Sequence, residues 1–518
     1  MPNAPQERTP QAVDLFVIGG GINGAGVARD AVGRGYSVLL VEMGDIASAT
    51  SSWSTKLIHG GLRYLEHNEF ALVRASLIER ARLLSVASHL VSPLRFVLPH
   101  GSGMRPAWLI RLGLFLYDNL SMSRKVPGSK GINLASDAAG KVLKPAMRTR
   151  GFTYYDCRVD DVRLTLANLA DAAKRGASIK PRTKLIGASV SDGLWKLTLE
   201  RQDDGVRYEV HARHVVNTAG PWADKVAHLL TGSNSPIGLR LVRGSHLVVR
   251  KPAGLDDAYL MQQPDGRVVF IIPYEGDYAL LGTTDADHID PADVEISPEE
   301  TEYLLEAANL YMDRPLTRDD IAWTFAGVRP LLDDGSDNAQ EVTRDYKILT
   351  KKHLAAGMTN VFGGKLTTFR TLSQKVVDDI AEVTAPTSHG MESGWTGYTA
   401  FDDAFVDDVS RKAVLDQVRE SLSQGLSVVD AAAHADRLVG MYGRSAQSLA
   451  GIIGAAKEAP LEAGLFPAEV SHMVEHEWVR TAEDALFRRC KLGIGKPQSA
   501  FDQVQALIDN ALAKKDAA

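Results

Sequence analysis

At 518 residues the chain is too long for one ordinary core, so two or three domains are expected. Hydrophobic residues at 45% and charged residues at 24% are the balance of a globular, not a disordered, chain, and a net charge of -6 gives no support to a nucleic-acid partner. Two cysteines, Cys157 and Cys490, exclude a disulfide framework and lie in no metal-ligand spacing, which fits a reducing compartment and no bound metal.

The opening MPNAPQERTPQAV lacks a basic start followed by an apolar core. No uncharged apolar run approaches the roughly 18–20 residues of a membrane span. The expectation is a cytoplasmic protein, or one held peripherally on the inner face of the cytoplasmic membrane. Residues 14–42 then read DLFVIGGGINGAGVARDAVGRGYSVLLVE. The run Leu15–Ile18 predicts a strand, Ala25–Gly33 a helix and Val38–Val41 a second strand ending at Glu42. Between them G-x-G-x-x-G is satisfied: Gly19 permits the tight turn, Gly21 lets a pyrophosphate approach the backbone, and Gly24 allows close helix–strand packing. The helix N-terminus offers N–H groups and a positive dipole end to the phosphates, and Glu42 suits an adenosine ribose. Strand, turn, helix, strand and acid in this order predict a dinucleotide site. Its place at the front of the chain, followed by a polar loop, favours FAD over NAD.

That loop, SSWSTKLIHGGLRYLE from Ser51 to Glu66, mixes hydroxyls, both cations, an aromatic and a His–Gly–Gly turn more densely than a plain surface loop does. RPAWLIRLGLFLYDNL, Arg105 to Leu120, predicts a helix that is apolar over most of its surface, with a thin polar stripe at Arg111 and Asp118 and then Arg124 and Lys125. It suits an in-plane membrane helix or a buried one. RVVFIIPYEGDYALLGTTD predicts a hairpin turning at Glu275-Gly276-Asp277. Residues 384–399 carry Pro, Gly, Ser and Thr in the manner of a linker, and 400–518 show helical spacing throughout.

Downstream of Glu42, ATSSWSTKLIHGGLRYLEH is followed by VNTAGPWAD (216–224), LVRGSHLVV (241–249), GTTD (282–285), AGVRPL (326–331), VFGGKLTTFR (361–370) and EHEWVRTAEDALFRRCKLGIG (475–495). In content and order these resemble the motifs of the FAD-dependent glycerol-3-phosphate dehydrogenase family, respiratory enzymes that pass electrons to quinone. The resemblance spans nearly the whole chain. It implies an α/β fold, α+β overall: a Rossmann-like FAD-binding domain from 14–90, 152–235 and 355–390, an inserted antiparallel-sheet substrate domain from 91–151 and 236–354, and a C-terminal helical domain over 400–518. It also implies oxidation of sn-glycerol 3-phosphate to dihydroxyacetone phosphate, a quinone as electron acceptor, peripheral membrane attachment and a homodimer.

For the site, the resemblance implies a phosphate clamp of Arg63 and Arg329, whose planar forks suit phosphate oxygens. His59 and His246 are the proton-acceptor candidates, with Tyr64, Thr283 and Thr284 beside the substrate. FAD contacts would come from Gly19, Gly21, Ile22, Asn23, Gly24, Glu42, Thr50, Ser51, Ser52, Lys56, Leu57, His59, Gly60, Ala219, Gly220, Trp222, Gly364, Lys365, Leu366 and Thr367. Lys365, before a helix expected near Thr367, would stabilise charge developing at the flavin's pyrimidine end. An oxygen-using glycerol-phosphate oxidase shares nearly all these motifs, and an amine or amino-acid oxidase shares the superfold.

Overall fold

The computed structural model describes residues 12–101, 105–121, 123, 125–233, 237–292, 294–333 and 345–517; residues 1–11 and Arg124 lie outside them. The chain divides into two compact units. One comprises residues up to 51 with 164–241 and 329–399; the other comprises 52–163, 242–328 and 400–518.

The first unit is built on an eight-stranded sheet. Its centre is parallel, in the order Ala356–Gly363, Arg207–Asn217, Ala12–Ile18, Val38–Val41 and Ser178–Lys180. These strands are buried on both faces, which is why DLFVI and VLLV read as unbroken apolar runs. The parallel crossover between Ala12–Ile18 and Val38–Val41 is helix α1 (Ile22–Gly33), three residues longer at its start than the apolar pattern predicts. Antiparallel strands Tyr346–His353, Leu194–Arg201 and Thr183–Ser191 complete the sheet. Ile18, Val41, Asn217 and Gly363 end their strands at one edge, where open α/β sheets take ligands.

Residues 384–399 are not a free linker. Met391 N–H donates to Gly33 O (2.7 Å), Ser388 Oγ to Gly35 O (2.8 Å), Trp395 Nε1 to Asp30 O (3.2 Å) and Thr387 Oγ1 to Asp14 (2.6 Å). Met391 thereby satisfies the Gly33 carbonyl, which the end of α1 leaves without a helical partner.

The second unit carries a ten-stranded, mainly antiparallel sheet. It includes the expected hairpin Val268–Tyr274/Tyr278–Gly282, which turns through Glu275-Gly276-Asp277. Along Leu239–Arg250, which continues from the first unit, Leu247 and Val249 enter one core while Val248 enters another. Both faces of the sheet are therefore covered. Helix Pro298–Asn309 covers one face and begins at a Ser297/Glu300 capping box. Helices α2 (Phe70–Val86) and α3 (Ala107–Asn119) cover the other with Val73, Leu77, Leu114 and Tyr117. Helices at 408–422, 428–442, 446–456, 467–476 and 498–517 bury a core of their own, crossed by the Arg437–Glu469 ion pair at 2.6 Å.

Helix α3 packs through Leu114 and Tyr117 and turns Trp108 (69% exposed), Leu112 (46%) and Phe115 (55%) to solvent, with Leu109 and Leu116 beside them. Of the two sequence readings, a fully buried helix is therefore excluded. Among the described residues no helix is long and apolar enough to cross a membrane.

Candidate active site

In the first unit the glycine turn closes on itself. A Cβ at Gly24 would stand 2.0 Å from Gly19 O and 2.7 Å from Thr218 Oγ1, so α1 leaves the strand in contact with its backbone. Gly21 caps α1 without a side chain, and the Ile22 N–H behind it donates to Ser51 Oγ at 2.9 Å. That hydroxyl accepts at the helix N-terminus and keeps its own proton for an anion. Asn23 Nδ2 donates to Gly363 O (3.2 Å), while its buried Oδ1 has no partner among the described residues. Glu42 follows its strand directly, as expected, and accepts one backbone N–H on each oxygen, from Gly20 (2.7 Å) and Gly44 (2.8 Å). Burial raises its carboxyl above the usual range, against the lowering effect of those N–H groups.

Two further loops reach the same sheet edge. Asn217 accepts the Ala219 N–H (3.2 Å) and donates to Ala223 O and to Asn360 Oδ1 (both 2.8 Å), which holds Ala219, Gly220 and half-buried Trp222. Gly363 and Gly364 turn the chain into Lys365, which precedes a tight turn at Leu366–Thr368 and the helix Phe369–Ala381. Arg329 is half-buried near the end of the strand Ile321–Leu332.

In the second unit the stretch after Ser51 is pinned along its length. Lys56 Nζ meets both Asp161 oxygens at 2.9 Å and Ser52 O at 2.8 Å, with 7% of the residue exposed. Its charge is thus met inside the protein. Leu57 and Ile58 pair with Arg158 and Cys157. Thr55 Oγ1 lies 3.0 Å from His246 Nε2, and the fully buried His246 ring stacks on Phe325 at 4.8 Å. His59 is half-buried, and the Gly60 N–H donates to Tyr117 Oη at 2.8 Å. Arg63 and Tyr64 follow in the turn Leu62–His67, both half-buried. Arg63 has no ion-pair or hydrogen-bond partner among the described residues. Thr284 is buried and donates to Glu300 (2.6 Å), which also meets Arg243 (2.8 Å); Thr283 is half-buried beside it.

A family model described as "FAD dependent oxidoreductase" matches residues 14–370, and one described as "C-terminal domain of alpha-glycerophosphate oxidase" matches 411–515. The aerobic glycerol-3-phosphate dehydrogenase of Escherichia coli (strain K12) is 43% identical over 491 residues, 93% of this chain and 94% of that protein. The chain belongs to the FAD-dependent glycerol-3-phosphate dehydrogenase family. D-erythritol 1-phosphate dehydrogenase of Brucella abortus (strain 2308) is 44% identical over 93% of this chain and 95% of its own. The crystal structure of the glycerol-3-phosphate dehydrogenase from Bacillus halodurans complexed with FAD is 27% identical, covers 99% of this chain and 92% of that one, and superposes with a TM-score of 0.76.

The first unit fits the family's cofactor on its own geometry. An open helix N-terminus at Gly21, an orphaned buried acceptor at Asn23 and an acid with lone pairs to spare at Glu42 are what a dinucleotide would complete. Sequence reasoning for this glycerol-3-phosphate dehydrogenase relative passed over Thr55, Asn217, Phe325, Tyr117, Asp156 and Asp161. Thr55 and Asn217 stand inside quoted motifs, and Phe325 immediately precedes one. Tyr117 lies inside the quoted helix stretch Arg105–Leu120, whereas Asp156 and Asp161 lie in none of the quoted stretches.

Proposed function

We propose that this chain oxidises the secondary hydroxyl of sn-glycerol 3-phosphate to the ketone of dihydroxyacetone phosphate, and that the electrons leave to a membrane quinone. The observation that carries the substrate class is Arg63. It is a half-buried guanidinium with no carboxylate partner among the described residues, two positions after a His–Gly–Gly turn. Such a group needs an anion, and its fork matches a phosphate.

In this reading FAD is held by Gly19, Gly21, Ile22, Asn23, Gly24, Glu42, Thr50, Ser51, Ser52, Leu57, His59, Gly60, Ala219, Gly220, Trp222, Gly364, Lys365, Leu366 and Thr367. When bound, it supplies the hydride acceptor that no side chain provides. Lys56 contributes by fixing the 50–58 segment through Asp161. Arg63 and Arg329 bind the phosphate, with Tyr64 and Thr283 beside the carbon chain. Thr284, bonded to Glu300, shapes the wall behind Thr283. His59 takes the hydroxyl proton, because its half-buried ring exchanges with solvent whereas His246 is closed in and bonded through Nε2 to Thr55. Lys365 and the N–H groups of the turn behind it offset the negative charge that hydride uptake brings.

The exposed face of α3 supports attachment to a membrane surface. Beside Trp108 lies a shallow pocket lined by Arg111, Asn133, Arg150 and Phe152, and its two guanidinium groups suit anionic headgroups. The reading includes a homodimer, which mass measurement in detergent tests. The relative from Brucella favours a second reading, in which the substrate is a longer polyol phosphate. Anaerobic addition of each phosphate to FAD-loaded protein separates the two: the true substrate bleaches the flavin at the lower concentration. Comparing reduction of a quinone analogue with peroxide release then tests the acceptor.

A further inference from the structure

The least expected contact of the His59-Gly60-Gly61 turn is with α3. The Gly60 N–H donates to Tyr117 Oη at 2.8 Å, with Asp156 Oδ1 farther off at 3.4 Å. The phenol donates in turn to the Asp156 carboxylate, 2.7 and 2.8 Å from its oxygens, and Arg80 of α2 closes the chain on Asp156 at 2.6 Å. Tyr117, Asp156 and Arg80 are all buried. Gly60 is pressed on this group: a Cβ there would lie 2.5 Å from Leu77 Cδ2 and 2.7 Å from Tyr117 Oη. Burial lifts the phenol well above its ordinary value, so it stays protonated and can donate to Asp156 while it accepts from Gly60.

We propose that Tyr117 is a positioning residue of the redox site, whose hydroxyl fixes the backbone of the His59-Gly60-Gly61 turn through the Gly60 N–H. The proposal rests on the reading above, in which this turn meets the flavin and presents His59. A buried N–H has few alternatives to its acceptor. With the phenol oxygen gone, the Gly60 N–H keeps only its long bond to Asp156 Oδ1 at 3.4 Å, and shortening that bond displaces the turn. Because Tyr117 is carried by α3, the seat of that exposed helix and the geometry of the turn are linked by one hydrogen bond.

The test compares Tyr117→Phe and Leu77→Ala with the wild type, each as FAD-loaded full-length protein. Leu77→Ala removes packing from the same glycine and leaves the hydroxyl in place. Two quantities are read: the visible absorption spectrum of the bound flavin without substrate, and the limiting rate of anaerobic reduction by glycerol 3-phosphate separated from its apparent Kd. Tyr117→Phe is expected to shift the spectrum and to lower the limiting rate roughly 10-fold, with Kd within about 2–3-fold. Leu77→Ala is expected to lower stability and leave the spectrum unchanged. A Tyr117→Phe protein with full FAD content, an unshifted spectrum and a rate within about twofold of wild type would overturn the proposal. If Tyr117→Phe does not accumulate, Tyr117→Met, which fills much of the same space and also lacks the hydroxyl, takes the same measurements against the same outcomes. Wild-type flavin that glycerol 3-phosphate does not bleach overturns the substrate reading alone; the spectral comparison then decides the role of Tyr117 by itself.

Discussion

Replacing Lys56 by Met keeps the length and apolar stem of the side chain and deletes only its charge. Three hydrogen bonds are lost, two to Asp161 at 2.9 Å and one to Ser52 O at 2.8 Å, together with the contact of the ammonium over the Phe325 ring at 5.4 Å. Asp161, 0% exposed, keeps the Ser54 hydroxyl at 2.7 Å and the Val162 N–H at 3.0 Å but loses the ammonium that meets both its oxygens. Removing one partner of a buried pair costs about 3–5 kcal/mol, whereas replacing both by apolar groups is often neutral. Lys56→Met should therefore lose about 4 kcal/mol of stability, and Lys56→Met/Asp161→Leu should recover most of it. The assay is denaturant unfolding of the full-length protein, followed by tryptophan fluorescence, with FAD affinity measured separately. Because Lys56 is held in the ion pair with Asp161, FAD affinity of the folded single variant should change by less than about threefold. A variant of wild-type stability that releases FAD would refute this.

The remaining predictions concern substrate, membrane and pH. Arg63→Ala removes hydrogen bonds to a charged group worth about 1.5–3 kcal/mol, so the apparent Kd for glycerol 3-phosphate should rise about 10- to 150-fold in anaerobic titrations; an unchanged value would remove Arg63 from the clamp. Trp108→Glu/Phe115→Glu should abolish co-sedimentation with anionic vesicles while flavin reduction in detergent persists, and unchanged sedimentation would end the role of α3. Burial lowers His89 and His214 to about 3. An unfolded chain takes up these protons near pH 6.5 and the native one does not, so stability is retained above that pH. Each should forfeit about 1.4 kcal/mol per unit as pH falls from there toward 3, and an unfolding midpoint that stays flat between pH 7 and 5 would contradict this. Glu477 contributes lower down. Burial raises its carboxyl, but Arg163, His472 and Arg489 together outweigh it and leave it depressed, so its contribution is present above the unfolded value and is lost as pH falls through the folded one.

The cofactor half of the site was legible because its grammar is local. Leu15–Ile18, the glycine turn, α1, Val38–Val41 and Glu42 succeed one another without interruption, and each local preference agrees with the parallel sheet that forms. The hairpin around Glu275-Gly276-Asp277 was legible for the same reason. The supporting contacts were not. Lys56 and Asp161 are 105 residues apart, Thr55 and His246 are 191, and Gly60 and Tyr117 are 57, and no spacing rule connects such pairs. Residues 384–399 misled because hydroxyl-rich, Pro- and Gly-containing sequence suits both a free linker and a strap bonded to helix carbonyls. For α3, periodicity defined an apolar surface but could not tell which part of it the remaining chain would cover.

The central claim is that a phosphorylated secondary alcohol delivers hydride to FAD on this chain. Anaerobic mixing of FAD-loaded protein with glycerol 3-phosphate, followed by flavin absorbance, tests it most directly. The account predicts stoichiometric bleaching with dihydroxyacetone phosphate as the product, and none with unphosphorylated glycerol at the same concentration. Flavin that stays oxidised with glycerol 3-phosphate and with D-erythritol 1-phosphate would contradict it.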